Sequence, residues 1–403
     1  MEDHKITDES KIVFHCLSQR QEGDEYFIGR DDIGSYVAMG GLGIEVIELL
    51  KKNLSIGEVK HRLKEEYKEE IEVDSFFETL IQLGFIKEIN GYTLEDKFKK
   101  KKYWFTRIKT HHIRWLFSKP ALVIYTLVIG SALFIMGVDH SYIPRYEDLF
   151  FHPRFTVVIL TSFTMHWLLM FKHEMAHFFA IKSLGLEGRF TLGNRLYFVV
   201  AETEMTQLWM RPRKDRYLPY CAGMISDVVT ASSLIIVLWV ADTGFFELNM
   251  LVYKIFKMII LGQLIGVLWQ FQFFMRTDIY YVVATLLNCK NLFNNAQIFI
   301  TNRILEALGR NPAPLRGISE KEMKAIRIYS IFYGMGTILL MLIFFFYVIP
   351  ITVTFTMGVY HNLAAGYTPG NKEAFIDGIV ILSIMGVQWV LLLVLILRKR
   401  WVT

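Results

Sequence analysis

Two hydrophobic patterns divide the chain. After residue 119, apolar residues come in runs of about 20, the length a helix needs to cross a hydrocarbon core. The runs are Ala121–Val138, Phe155–Ile181, Leu218–Ala241, Met250–Phe274, Ser330–Pro350 and Ile376–Leu397. Before residue 95 the apolar positions are interleaved with charges over short stretches. Ser55-Ile56-Gly57-Glu58 is a capping box that predicts a helix to about Tyr67, and Ser75-Phe76-Phe77-Glu78 predicts a second one ending near Gly84. Phe85 to Leu94 reads as a hairpin turning at Asn90-Gly91, and strands are expected around Ile12–His15, Tyr26–Ile28 and Tyr36–Met39. The expected fold is mainly α: a polytopic helical membrane protein of six transmembrane helices behind a small α+β winged-helix domain. That domain takes residues 1–95, a basic interfacial linker residues 96–119, and the membrane domain residues 120–403.

Charge sets the expected orientation. Lys97, Lys99 to Lys102, Arg107, Lys109 and Arg114 precede the first run, and Arg398, Lys399 and Arg400 follow the last. The connections after the second and fourth runs are also rich in Lys and Arg, whereas the other three hold only Arg145, Arg154 and Lys372. Positive charge stays inside, so both termini and both basic connections are expected in the cytoplasm. The chain starts Met-Glu-Asp-His with no early apolar stretch, and no cleavable signal peptide is expected. The net charge of +5 is explained by juxtamembrane Lys and Arg facing anionic lipid and requires no nucleic acid. A winged helix raises the question of DNA, but its recognition region carries Glu65, Glu66, Glu69, Glu70, Glu72, Asp74 and Glu78, which repel phosphate. Cys16, Cys221 and Cys289 are too scattered for a disulfide framework or a thiolate zinc site.

His173-Glu174-Met175-Ala176-His177 lies inside the second apolar run. Ionisable groups at membrane depth need partners, and one metal ion can serve two neutral imidazoles. On a helix, positions i and i+4 are about 40° apart and one turn up, so both rings can reach one Zn²⁺, with Glu174 placed to take a proton from an attacking water. A catalytic zinc needs a third protein ligand. Asp278, just after the fourth run, is the first candidate; its alternative is an acid paired to Arg276 at the membrane boundary. Asp227, in the third run, is the rival, able instead to bind substrate or join helices. His166, on the same face as His173, reads as a hydrogen-bonded polar residue, with a metal ligand as its alternative, and Gln263, Gln270 and Gln272 as interhelical hydrogen-bonding groups, with substrate contacts as theirs.

These residues resemble the intramembrane zinc metalloproteases of the site-2 protease type, over roughly residues 155–290. The likeness is to the branch of peptide zinc metalloproteases in which Gly-Tyr-Tyr follows the aspartate ligand; this chain reads Asp278-Ile279-Tyr280-Tyr281. Ala222-Gly223-Met224-Ile225-Ser226-Asp227 aligns with a Gly-Pro-x-x-Asn type segment of that family, without the proline and with Asp in place of Asn. The resemblance implies His173, His177 and Asp278 as zinc ligands, Glu174 as catalytic base, and a membrane-associated β-hairpin over Phe190 to Val200 that turns at Gly193-Asn194. Asn194, Asp227 and Tyr281 are the candidate substrate contacts, and Zn²⁺ is the one expected cofactor.

Gly34 to Ile89, with Gly43 to Leu50 and Leu80 to Ile86, is similar to the peptide chaperone of pyrroloquinoline quinone biosynthesis (PqqD). The likeness implies recognition of a leader peptide added as a strand to a sheet edge. Together the two resemblances lead to a membrane zinc endopeptidase that captures a ribosomally made, post-translationally modified precursor and removes its leader. The expected partners are that peptide and the lipid bilayer, with a peptide-modifying enzyme or exporter encoded nearby. Cleavage of a membrane-spanning regulator such as an anti-sigma factor is the alternative within enzymes. A non-catalytic peptide-binding protein for export or immunity is the alternative outside them.

Overall fold

The computed structural model describes residues 7–402 except 24, 69–73, 99, 104, 106, 196–197 and 314–317. The chain divides into two compact units, residues 1–107 with Leu186–Arg189 and Glu204–Arg216, and the remainder. In the first, β1 (Ile12–Phe14), β2 (Ser18–Glu22), β3 (Glu25–Arg30) and β4 (Ser35–Gly40) lead into α1 (Gly41–Lys51), α2 (Ile56–Tyr67) and α3 (Asp74–Gln82), then β5 (Ile86–Ile89) and β6 (Tyr92–Thr93). They make two three-stranded sheets, ordered β2-β3-β4 and β1-β5-β6, with antiparallel pairing throughout. Ile28, Ile47, Leu50, Leu63, Phe77, Leu80 and Phe85 form a core sealed from solvent. Each contributes about 1.5–3 kcal/mol by burial.

The local signals hold. Ser55 accepts from the Glu58 N–H at 3.3 Å while the Glu58 carboxylate accepts from the Ser55 N–H at 2.7 Å, a reciprocal cap that starts α2. Asn90 and Gly91 have φ of 52° and 81°, as the tight turn between β5 and β6 requires. Helix α3 already includes Asp74, so Ser75 stands inside it rather than at its cap. Strand β2 has no counterpart among the expected strands: its Ser-Gln-Arg-Gln-Glu sequence lacks apolar alternation, and it forms by pairing with β3 from Ser18 opposite Gly29 to Glu22 opposite Glu25. Of the acidic residues expected to repel DNA, Glu69, Glu70 and Glu72 lie outside the described residues.

In the second unit a short turn, α4 (Thr110–Ile113), precedes α5 (Lys119–Val138), α6 (Phe155–Ser183), the paired strands β7 (Arg189–Arg195) and β8 (Phe198–Glu204), α7 (Arg213–Asp242) and α8 (Met250–Gln270). Then come α9 (Asp278–Leu286), α10 (Leu292–Ala307), α11 (Glu320–Ile343), α12 (Ile349–Ala364) and α13 (Lys372–Val402). Parts of β7, β8 and α7 belong to the first unit. Among the described residues, six helical stretches are long and apolar enough to cross a membrane, and they match the six expected runs with two differences. The fourth ends at Gln270, four residues early, because the chain turns through a 3₁₀ segment at Phe273–Met275. The fifth does not stop at Pro350 but continues to Ala364, a 45-residue stretch. A π-helical turn at Phe344–Val348 absorbs the backbone disruption a proline brings.

The strand pair also corrects the expected turn. Gly193 and Asn194 lie within β7, and Gly193 is not among the glycines with positive φ. The Thr191 hydroxyl donates to the Glu202 carbonyl at 3.3 Å, so the strands run side by side across this level. Strand β7 continues to Arg195 and β8 starts at Phe198; residues 196–197 lie outside the described residues.

Candidate metal centre

Helix α6 carries His173 and His177 one turn apart, both buried. Each ring is held from behind at Nδ1. His177 Nδ1 donates to the Pro219 carbonyl of α7 at 2.7 Å, and His173 Nδ1 lies 2.6 Å from Asp227 Oδ2 on the same helix. A carbonyl only accepts, so His177 must carry its proton on Nδ1, and in the neutral ring Nε2 presents a lone pair. His173 takes the same tautomer when its Nδ1 donates to the carboxylate.

Asp278 completes the group. It opens α9, and its Oδ2 lies 3.0 Å from His173 Nε2 and 3.1 Å from His177 Nε2, while the two Nε2 atoms are 3.1 Å apart. The loop that delivers it is tied to the end of α8: Gln270 Oε1 accepts from the Asp278 N–H at 3.0 Å, and the Gln270 carbonyl accepts from the Thr277 hydroxyl at 2.6 Å. Arg276 turns the chain with φ 59°, a left-handed conformation costing about 1–2 kcal/mol in a residue other than glycine. Ile279 is helical, so the backbone beside Asp278 does not demand the glycine found there in the resembled family. Arg276 stacks over Phe293, 5.3 Å from the ring centre, while Asp278 faces the histidines.

The donor set fits a metal ion. With both rings in that tautomer, two imidazole lone pairs and a carboxylate oxygen converge at mutual distances near 3 Å, a set of acceptors that a cation among them would satisfy. A tetrahedral ion with bonds of about 2.0–2.1 Å spaces its ligand atoms about 3.3 Å apart, close to what is seen. Gly223 supplies the room: a Cβ there would fall 2.3 Å from His173 Nε2 and 2.5 Å from His177 Nε2, in the space an ion would take. His173, His177 and Asp278 are the residues that could hold a metal.

Glu174 is buried beside the ligands, and its Oε2 accepts from the Thr203 hydroxyl of β8 at 2.7 Å. That hydroxyl also lies 2.9 Å from the Glu174 carbonyl oxygen. Of the other candidates, Asp227 contacts the back of His173 rather than the acceptor cluster, Tyr281 on α9 stacks on Tyr220 at 5.4 Å, and Asn194 is carried on β7. His166 is exposed and meets Trp167 edge-on, outside the cluster. Gln263 joins helices as expected, accepting from Lys172 at 2.7 Å. Three contributors escape sequence reasoning: Thr203, whose contact spans a strand return; the Pro219 carbonyl; and Lys172. Only Lys172 leaves a signal, since a lysine in an apolar run needs a counter-ion nearby. Comparisons with family models, with curated proteins and with solved structures return no match.

Proposed function

We propose that the protein is an intramembrane zinc endopeptidase that captures a precursor peptide through its first unit and cleaves off the leader. The observation that carries the reading is the convergence of His173 Nε2, His177 Nε2 and Asp278 Oδ2, with the Glu174 carboxylate in the same turn of α6. Zinc held there supplies Lewis-acid polarisation of the scissile carbonyl and a lowered pKa for water. Glu174 takes the proton of the attacking water and passes it to the leaving nitrogen, so that one peptide bond and one water become a carboxylic acid and an amine. Thr203 keeps the Glu174 carboxylate aimed by its hydrogen bond. A helical substrate hides its carbonyls in its own hydrogen bonds, and pairing of an unwound segment with β7–β8 would expose one of them.

Leader capture by strand addition is supported by the β2-β3-β4 sheet, whose end strands β2 and β4 are each paired on one side within that sheet. Holding the leader in the same chain raises the local substrate concentration to roughly millimolar. The charge pattern supports cytoplasmic termini and a bacterial plasma membrane. Cysteines placed at Asp139, Asp242 and Lys372 are expected to label from outside intact cells with an impermeant reagent, and labelling at Lys321 instead would reverse the orientation.

The test uses full-length protein in nanodiscs with a precursor encoded beside its gene. Wild type is expected to cleave it, while Glu174→Gln keeps its zinc, binds the leader and cleaves nothing. Wild-type turnover by Glu174→Gln would remove the assigned base. Cleavage of a membrane-spanning regulator with no leader binding would move the substrate class, and salt-sensitive DNA binding would reverse the assignment of the first unit.

A further inference from the structure

Lys172 stands directly before the first histidine of the cluster, in the middle of an apolar helix. Its ammonium lies 3.0 Å from Asp227 Oδ1, 2.8 Å from Thr230 Oγ1, 2.7 Å from Gln263 Oε1 and 3.1 Å from the Ser226 carbonyl. Its three N–H groups are thus shared among acceptors on α7 and α8, which binds three helices at one point. The other Asp227 oxygen, Oδ2, is the one at His173 Nδ1. One carboxylate oxygen thus meets the ammonium as an ion pair and the other meets the ring.

We infer that Lys172 is a positioning residue for the metal centre, acting through Asp227 to fix the rotation and tautomer of His173. The inference rests on the metal reading of His173, His177 and Asp278. An aspartate buried to 4% exposure in an apolar bundle keeps its charge only beside a counter-charge, and Lys172 is the ammonium that meets it. Ion-paired attraction at Oδ1 holds the carboxylate against the imidazole, and with its proton on Nδ1 the ring keeps Nε2 aimed at Asp278 and His177. His177 needs no such device, because its anchor is a helix carbonyl with no freedom to rotate. Partners behind a ligating imidazole typically change metal affinity by about 10- to 100-fold.

The experiment titrates Zn²⁺ into metal-stripped full-length protein against a competing chelator, and records the visible spectrum of the Co²⁺ form as a signature of ligand geometry. Lys172→Met is expected to weaken zinc by about 10- to 100-fold and to alter the Co²⁺ bands, and Lys172→Arg, which keeps the charge, to recover most of the affinity. Because Lys172→Met strands a buried carboxylate and could cost folding, the variant with Lys172→Met and Asp227→Asn together supplies a neutral pair. Its affinity is expected to equal that of Asp227→Asn alone, since the lysine acts only through the aspartate. Equal affinity and spectrum in Lys172→Met and wild type, or additive losses in the double variant, would overturn the inference and leave the metal reading standing. A wild-type protein that takes up no zinc would instead overturn the reading beneath it.

Discussion

Two buried polar clusters in this molecule obey opposite accounting. In the first unit, the Arg30 guanidinium is 1% exposed and its donors are matched: Nε and Nη2 reach the two Asp32 oxygens at 2.7 and 2.9 Å, Nη1 reaches the Gly84 carbonyl at 2.9 Å, and Nη2 reaches Asp96 at 2.5 Å. In the second unit, His173 Nε2, His177 Nε2 and Asp278 Oδ2 face one another, while the two Nδ1 atoms are tied to a carboxylate and a carbonyl behind them. Arg30 is complete as it stands, whereas His173, His177 and Asp278 form a group that could hold a metal ion. Burial of charge alone therefore does not mark a functional site. A surplus of one hydrogen-bonding sign, converging on one point, does.

The largest effect that would break this contrast is expected at Gly223. Gly223→Ala puts a methyl group where the ion would sit, and zinc binding measured by metal analysis of the purified protein should be lost, while the helix, which favours alanine over glycine, should remain. Stoichiometric zinc in Gly223→Ala would mean that the space is not the metal cradle. At Arg30 the expected loss is of stability and not of metal. Arg30→Met should lower protection of the β3 amides by about 2–3 kcal/mol, below the cost for a fully buried pair because Asp32 and Asp96 are partly exposed and rehydrate. Hydrogen exchange on the full-length protein would read this as a fall of roughly 30- to 150-fold. Unchanged zinc content alongside that fall would sharpen the contrast between the clusters.

Smaller still is an acid effect. The hydrogen bond from the Arg30 guanidinium holds the Asp96 carboxyl below its ordinary value of 3.8. A carboxylate depressed on folding contributes stability above its unfolded pKa, and this is lost as pH falls through the folded value. Protection of β3 should therefore weaken below about pH 4 in wild type, and less steeply in Arg30→Met, where the main cause of the depression is removed. The same slope in both would show that other carboxylates dominate there. A change of about 1 kcal/mol in α2 is expected for Ser55→Ala, which removes one half of the reciprocal cap.

The contrast also explains what the sequence could reveal. The six apolar runs, the capping box at Ser55 and the turn at Asn90-Gly91 are local signals, set by residues within a few positions of each other, and each is found, with only the ends of the fourth and fifth runs displaced. The i, i+4 histidine pair is equally local, and adding Asp278 required only that it follow a run ending at the same depth. What was not legible depends on chain return. Strand β2 forms through its partner, the Gly193-Asn194 turn shifts because register is decided across two strands, and Pro350 fails to end its helix because a π turn precedes it. Asp227 was visible as an acid in an apolar run, yet only the packing of α6 on α7 shows that it faces the back of His173.

The central claim, that one metal ion completes the three converging acceptors, is tested most directly by X-ray absorption at the zinc edge of purified full-length protein. The account predicts one zinc per chain with two imidazole nitrogens and one carboxylate oxygen at about 2.0–2.2 Å, and loss of one imidazole shell in His177→Ala. A zinc-free protein, or zinc whose first shell contains sulfur and does not change in His177→Ala, would contradict it.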